Sequence, residues 1–188
     1  MFTPLFTDGV WNTTFVIDLK DYCSFIRKTN KGRILSNSGG FQSTDLNLSD
    51  YQLQPLINHI QSEASFFSQV YNIKNSSFVM DNMWININGY KDYNIPHTHT
   101  QCVFSGVYYV QSPKDCGVLS FNRGYKPVMG YDWNLNVTSF NSHNAVSWFL
   151  PCEKHKCYIF PSYLEHCVEP NLNKEEERIS ISFNLVQS

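Results

Sequence analysis

Two histidines one residue apart open the stretch HTHTQCVFSGVYYV, residues 97–110, in a chain with only six histidines. On an extended backbone, residues i and i+2 project from the same face, so His97 and His99 can point into one shared space. Divalent-metal binding is the sharpest chemistry for such a pair. Taken alone, an HxH is explained as well by an exposed pair or a polar network, and a metal needs a further ligand. His166, at the end of FPSYLEH, is one candidate. Twelve residues later RISISFN begins at Arg178. On that strand Arg178, Ser180, Ser182 and Asn184 share one face, and Ile179, Ile181, Phe183 and Leu185 share the other. A guanidinium fork and a hydroxyl two residues apart suit one carboxylate, bound bidentately. By itself, an RxS is more simply the solvent face of an edge strand.

Cys152 and Cys157 flank His155 in CEKHKC, which suggests zinc, but no second ligand pair with zinc spacing follows. Cys167, next to His166, reads as a small buried residue rather than a ligand.

The elements that must position these residues fall into two regions. TTFVIDL (13–19) reads as an early strand and DYCSFIRKT (21–29) as a short helix. A longer helix is expected over about 50–71, with Ser49 and Gln52 as a capping box and Pro55 in the first turn. Its apolar stripe is Leu53, Leu56, Ile57, Ile60, Ala64, Phe67 and Val70, a core-facing surface, with His59 beside it as a surface residue. From residue 78 the period becomes strand-like. FVMDNMWINI (78–87) alternates, and FSGVYYVQ (104–111) is expected to form an antiparallel hairpin with CGVLSFN (116–122) around the turn SPKD. Residues 124–142, rich in Gly, Asn, Ser and aromatics, read as a long excursion of the kind that serves as a lid or substrate loop. AVSWFL (145–150), KCYIF (156–160) and RISISFNLV (178–186) complete at least six short strands. A helical front followed by many strands gives an α+β, mainly β fold, with the strands rolled into a double-sheet jelly roll.

The chain has 188 residues, 42% of them hydrophobic and 15% aromatic, enough for one domain with a sizeable core. Its formal net charge is −2, which argues against a generic binder of the nucleic-acid backbone. No apolar run approaches the roughly 18 residues that span a bilayer. MFTPLFTDGVW lacks the features of a signal peptide. Six widely spread cysteines without an export signal are expected to be reduced thiols, and the sequons at Asn12, Asn47, Asn75 and Asn136 then mean little. We therefore expect a soluble, cytoplasmic protein (host cytoplasm, if the origin is a phage).

The order HxH, a distant His, then Arg-x-Ser a dozen residues on is far more specific than any of its parts. With HxH…SGVYYV…FPSxLxHxV…ERISISFN, the sequence resembles the Fe(II)- and 2-oxoglutarate-dependent oxygenases, in particular the prolyl-hydroxylase-like branch and its microbial and phage members. The resemblance covers about residues 78–186. It implies a double-stranded β-helix, a cupin-like jelly roll with the metal in one mouth. It also implies a single domain over 1–188, with 1–77 as a helical support region and 78–188 as the core. By the family pattern His97 and His166 are iron ligands, and Arg178 and Ser180 hold the far carboxylate of 2-oxoglutarate. Tyr109 matches a position where relatives place a hydroxyl on that carboxylate, and Ser105, Val107 and Tyr109 alternate onto one face.

One position departs from the pattern. The usual facial triad is two histidines and a carboxylate; the acid is expected at position 99, where this chain has His99. Three outcomes fit: His99 ligates as a third imidazole, His99 stands aside for water, or an acid such as Glu165 or Asp92 substitutes. We expect His99 to ligate. Iron rests on the resemblance, because imidazoles suit zinc, copper and nickel as well.

The implied activity is a dioxygenase that uses Fe(II), 2-oxoglutarate and O2 and hydroxylates a substrate, releasing succinate and CO2. The alternative is a non-catalytic jelly-roll binding or assembly protein, which has no need of a carboxylate fork. A three-histidine thiol dioxygenase would not need Arg-x-Ser either. The prime substrate is expected to be a protein side chain or a metabolite rather than nucleic acid, and an oligomer is compatible with the sequence. Tyr90, Tyr93, Tyr125, Tyr131, Trp133 and Trp148 could line a groove, though packing is the simpler role for most.

Overall fold

The computed structural model describes residues 3, 7–74, 77–123 and 138–188. The helical layer comes first. α1 (Lys20–Thr29) and α2 (Gln54–Ser68) turn their apolar faces inward, and a short 3-10 turn, Gln69–Tyr71, extends α2. The anticipated stripe is buried from Leu53 through Phe67, but Val70 is exposed, because it falls in the 3-10 turn where the helical period has ended. The capping box does not form. Asp50 accepts the Gln52 N–H and Asn47 accepts the Ser49 N–H, so these side chains build turns and the helix starts later, with Pro55 in its first turn.

The strands are β1 (Trp11–Thr14), β2 (Asn37–Ser38), β3 (Phe41–Gln42), β4 (Phe78–Asn88), β5 (Tyr93–His97) and β6 (Phe104–Gln111). They continue with β7 (Val118–Asn122), β8 (Ser147–Pro151), β9 (Lys156–Pro161), β10 (His166–Val168) and β11 (Arg178–Gln187). They form two antiparallel sheets, in the orders β1-β9-β6-β11-β4-β3 and β2-β5-β10-β7-β8. The early strand is shorter than expected and lies nearer the terminus. The expected β6–β7 hairpin is absent: β6 pairs with β9 and β11, while β7 pairs with β8 and β10. The SPKD turn carries the chain from one sheet to the other, the alternation that makes a double-stranded β-helix.

The larger sheet is covered on both faces, which is why its central strands bury almost every residue. Met83, Ile85 and Ile87 of β4 and Ile179, Ile181 and Phe183 of β11 pack with the helices. Val107, Tyr109, Leu119, Phe121, Tyr158 and Phe160 fill the space between the sheets. Gly106 is required where β6 is crowded: a Cβ there would run into the Phe183 ring and the Tyr158 carbonyl. β11 is no solvent-facing edge strand. It lies between β4 and β6, and on its polar face Asn184 accepts from Ser105 (2.8 Å) and donates to Asn82 (2.9 Å), while Ser182 accepts from Asn86 (3.0 Å). The greater part of the expected excursion, 124–137 with Tyr125, Tyr131 and Trp133, lies outside the described residues.

Candidate metal and cosubstrate site

His97 ends β5 and His166 begins β10, and the two are direct partners across the ladder. His99 lies beyond the strand, in a loop whose path is set by backbone bonds from His99 N–H to Ser162 O (2.9 Å) and from Ser162 N–H to Val103 O (3.1 Å). Strand parity therefore does not explain how His99 joins the pair; the loop turns it in. The three ring centroids are 4.4 to 5.2 Å apart. One ligand atom from each of His97, His99 and His166 lies within 4.8 Å of the others, the one such cluster among the described residues.

The tautomers follow from the neighbours. His97 Nδ1 lies 2.7 Å from the Ile95 carbonyl and His166 Nδ1 lies 2.9 Å from the Leu164 carbonyl. A carbonyl only accepts, so each Nδ1 carries the proton and each Nε2 keeps a lone pair for a metal. Burial pulls all three imidazoles toward neutrality. His97 falls below its ordinary range, His99 to about 4 and His166 to about 3, the latter two lowered further by the neighbouring histidines. Neutral imidazoles are the form that ligates.

Neither candidate acid joins them. Glu165 is exposed and accepts from Asn122 Nδ2 (3.1 Å), and Asp92 accepts the Gly89 N–H (2.8 Å), closing a turn. CEKHKC gathers no metal cluster either. Cys157 is fully buried in the helix-side core, and His155 Nδ1 meets the Tyr108 hydroxyl at 2.9 Å.

The histidines open into a cavity also lined by Trp84, Asn86, Asn94, Ser180 and Ser182, with no carboxylate or cationic side chain among its described lining. Behind it Arg178 and Tyr109 are both 0% exposed. Arg178 Nη1 donates to the carbonyls of Cys116 and Glu169 (2.8 Å to the latter), while its Nη2 has no hydrogen-bond partner. The Tyr109 hydroxyl has none either. Burial pushes that hydroxyl well above its ordinary pKa, so it is a neutral donor, and the Arg178 charge opposes the shift. Two buried donors without partners, one of them cationic, are costly unless an acceptor arrives. A carboxylate is the acceptor that fits both.

Sequence reasoning missed Trp84 and Asn86. The alternation in MWININ puts them on one face, opposite Ile85 and Ile87, and that signal was available. Of the suggested groove aromatics, Tyr90, Tyr93 and Trp148 are exposed. Tyr90 lies beneath the ammonium groups of Lys91 and Lys174.

Two facing antiparallel sheets backed by helices, with three convergent histidines between them, define a double-stranded β-helix protein. Residues 82–184, more than half of the chain, match the family model described as "Putative 2OG-Fe(II) oxygenase", and the chain belongs to that family. It is thus an enzyme of a class that uses Fe(II) and 2-oxoglutarate. Among solved structures it is similar to a Pseudomonas putida prolyl-4-hydroxylase, at 12% identity and a TM-score of 0.67 over 97% of this chain and 94% of that one. It is similar also to SnoN, the α-ketoglutarate-dependent epimerase of nogalamycin biosynthesis (16%, TM-score 0.65, 96% and 79% covered). A third is the viral collagen prolyl hydroxylase of Paramecium Bursaria Chlorella virus-1 in its 2-oxoglutarate complex (14%, TM-score 0.52, 94% of each chain). At such identities these likenesses speak for the fold. No curated protein matches the chain. Among the described residues no helix is long and apolar enough to cross a membrane.

Proposed function

We propose that this oxygenase holds Fe(II) through His97, His99 and His166. We further propose that it binds the distal carboxylate of 2-oxoglutarate through Arg178 and Ser180, with Tyr109 as an additional donor. The observation that carries the reading is three neutral, convergent imidazoles together with a buried guanidinium, bonded to the Glu169 carbonyl just past the end of β10, that has one nitrogen unpartnered. When bound, iron and 2-oxoglutarate supply oxidising chemistry in which O2 is consumed, succinate and CO2 are released and a substrate C–H becomes C–OH.

The chain's own residues orient and exclude. The Ile95 and Leu164 carbonyls hold two imidazoles with Nε2 facing inward. The Cys116 and Glu169 carbonyls pin one arm of the Arg178 fork, leaving the other for a ligand. The substrate is then a protein side chain or a small molecule presented at the cavity, in a one-domain cytoplasmic protein whose six cysteines are all free. The retained fork weighs against a purely structural jelly roll, which has no use for a buried unpartnered cation.

The test is anaerobic titration with Fe(II) and 2-oxoglutarate, following the visible charge-transfer band of the chelate. A saturable band at one iron per chain is expected. Iron binding without a 2-oxoglutarate-dependent band would leave the non-catalytic reading in its place.

A further inference from the structure

Beside the fork are two thiols that neither the metal site nor the cosubstrate site uses. Cys116 and Cys152 are free and nearly fully buried, at 4% and 8% exposed. They lie on chain segments held together by the β7–β8 ladder, in which Val118 pairs with Pro151. The Cys116 Sγ lies 3.8 Å from the Cys152 carbonyl oxygen, and each thiol is close enough to shift the other's titration. Gly117, with φ +82°, breaks the strand between Cys116 and Val118, and a Cβ on it would meet the Glu169 carbonyl oxygen at 2.6 Å. That close approach sets the Cys116 and Glu169 carbonyls side by side as the two acceptors of Arg178 Nη1. Cys152 in turn faces the Tyr109 hydroxyl. Cys116 thus holds Arg178 through its carbonyl, and Cys152 faces Tyr109 through its thiol.

We infer that Cys116 and Cys152 form a reversible disulfide under peroxide and that this bond loosens the Arg178–Tyr109 carboxylate site. The inference rests on the cosubstrate reading above. The contact with Cys152 and the charge of Arg178 lower the Cys116 thiol to about 7 against the opposing effect of burial, so a thiolate is accessible at neutral pH. It attacks one oxygen of the peroxide, the O–O bond breaks, the other oxygen leaves as water, and Cys116 becomes a sulfenic acid. The Cys152 sulfur then displaces that hydroxyl, which leaves as a second water, and the S–S bond forms. Two electrons and two protons leave the dithiol, and the peroxide is reduced to two waters. A disulfide requires the sulfurs to sit at about 2.05 Å with a fixed dihedral preference, whereas in the free protein the Cys116 Sγ is directed at the Cys152 carbonyl oxygen, 3.8 Å away. The Cys116 peptide must shift, and the carbonyl that pins Arg178 shifts with it.

The experiment uses full-length Mn(II)-loaded protein, treated with hydrogen peroxide and then with reductant. Peptide mapping reads the cross-link, and calorimetry reads 2-oxoglutarate affinity. Expected are a Cys116–Cys152 cross-linked peptide, a weakening of 2-oxoglutarate binding by about tenfold, and recovery on reduction. In Cys152→Ala the affinity should not respond to peroxide; Cys116→Ser serves as the second variant should that one misfold. Peroxide treatment without the cross-link, or a cross-link that leaves affinity unchanged, overturns the inference. If the reduced protein does not bind 2-oxoglutarate at all, the cosubstrate reading fails instead, and with it the coupling, whatever the peptide map shows.

Discussion

His97 and His166 face each other directly across the β5–β10 ladder, with ring centroids 4.4 Å apart and each Nδ1 tied to the carbonyl two residues before it. Two strands of one sheet thus set the distance between two imidazoles before any ion binds. Removing either ring should remove the metal. We expect one divalent ion per wild-type chain and none retained by His166→Ala or His97→Ala after desalting, measured by elemental analysis. Full stoichiometry in His166→Ala would refute the site.

Arg178→Ala should keep the metal and weaken 2-oxoglutarate by about 2–4 kcal/mol, the usual cost of truncating one partner of a buried charge pair. Ser180→Ala should cost about 1 kcal/mol, a single hydrogen bond. Tyr109→Phe separates binding from folding, because the hydroxyl it removes has no nitrogen or oxygen partner in the free protein and faces only the weakly bonding Cys152 thiol. We expect its 2-oxoglutarate affinity to fall while its thermal midpoint stays level or rises. A lowered midpoint with unchanged affinity would assign the hydroxyl to structure alone.

The buried imidazoles make the metal-free protein sensitive to acid. His166 is 5% exposed, and burial, aided by His97 and His99, lowers it from 6.5 to about 3. Between those values the unfolded chain binds a proton that the folded chain refuses. The stability His166 contributes is therefore complete above about pH 6.5 and is lost as pH falls. The loss approaches 1.4 kcal/mol per pH unit over the middle of that window. Denaturant melts of metal-free protein from pH 7 to pH 4 should show the decline, and His166→Phe should flatten it. An identical slope in that variant would place the acid sensitivity elsewhere.

The longer strands and the two faces of β11 are legible in the sequence because period-2 alternation is a local property, whereas the short β2, β3, β5 and β10 carry too few residues to show it. MWININ and RISISFN each state which residues share a face, and the structure puts Trp84 and Asn86 with Ser180 and Ser182 on the cavity lining. Sheet membership is not local. SPKD looks like a hairpin turn, and only the distant partners β9, β10 and β11 decide that β6 and β7 belong to different sheets. The place of His99 is hidden for the same reason, since its loop is steered by Ser162, far along the chain. The capping box is lost to Asn47 and Asp50, whose side chains take the same backbone donors for turns. The cysteine pair beside Arg178 leaves no trace in spacing at all.

An imidazole offsets none of the charge of a divalent ion, whereas the carboxylate usual in the facial triad offsets part of it. A three-imidazole centre should therefore hold the dianionic cosubstrate tightly and turn over slowly. His99→Asp restores the usual donor set. The backbone of the loop is held by the His99 N–H to Ser162 bond, which does not depend on the side chain, so the path of the chain should survive the change. The described cavity lining has no other carboxylate to repel the new one. We expect slow, oxygen-dependent succinate release from wild-type protein even without prime substrate. We expect His99→Asp to keep the metal and to release succinate at least as fast. The measurement is succinate formed per iron with oxygen and 2-oxoglutarate saturating. Loss of iron from His99→Asp would make the imidazole an obligatory ligand and the site a true three-histidine centre. Absence of succinate from both proteins, with both metal and 2-oxoglutarate bound, would move the non-catalytic reading ahead.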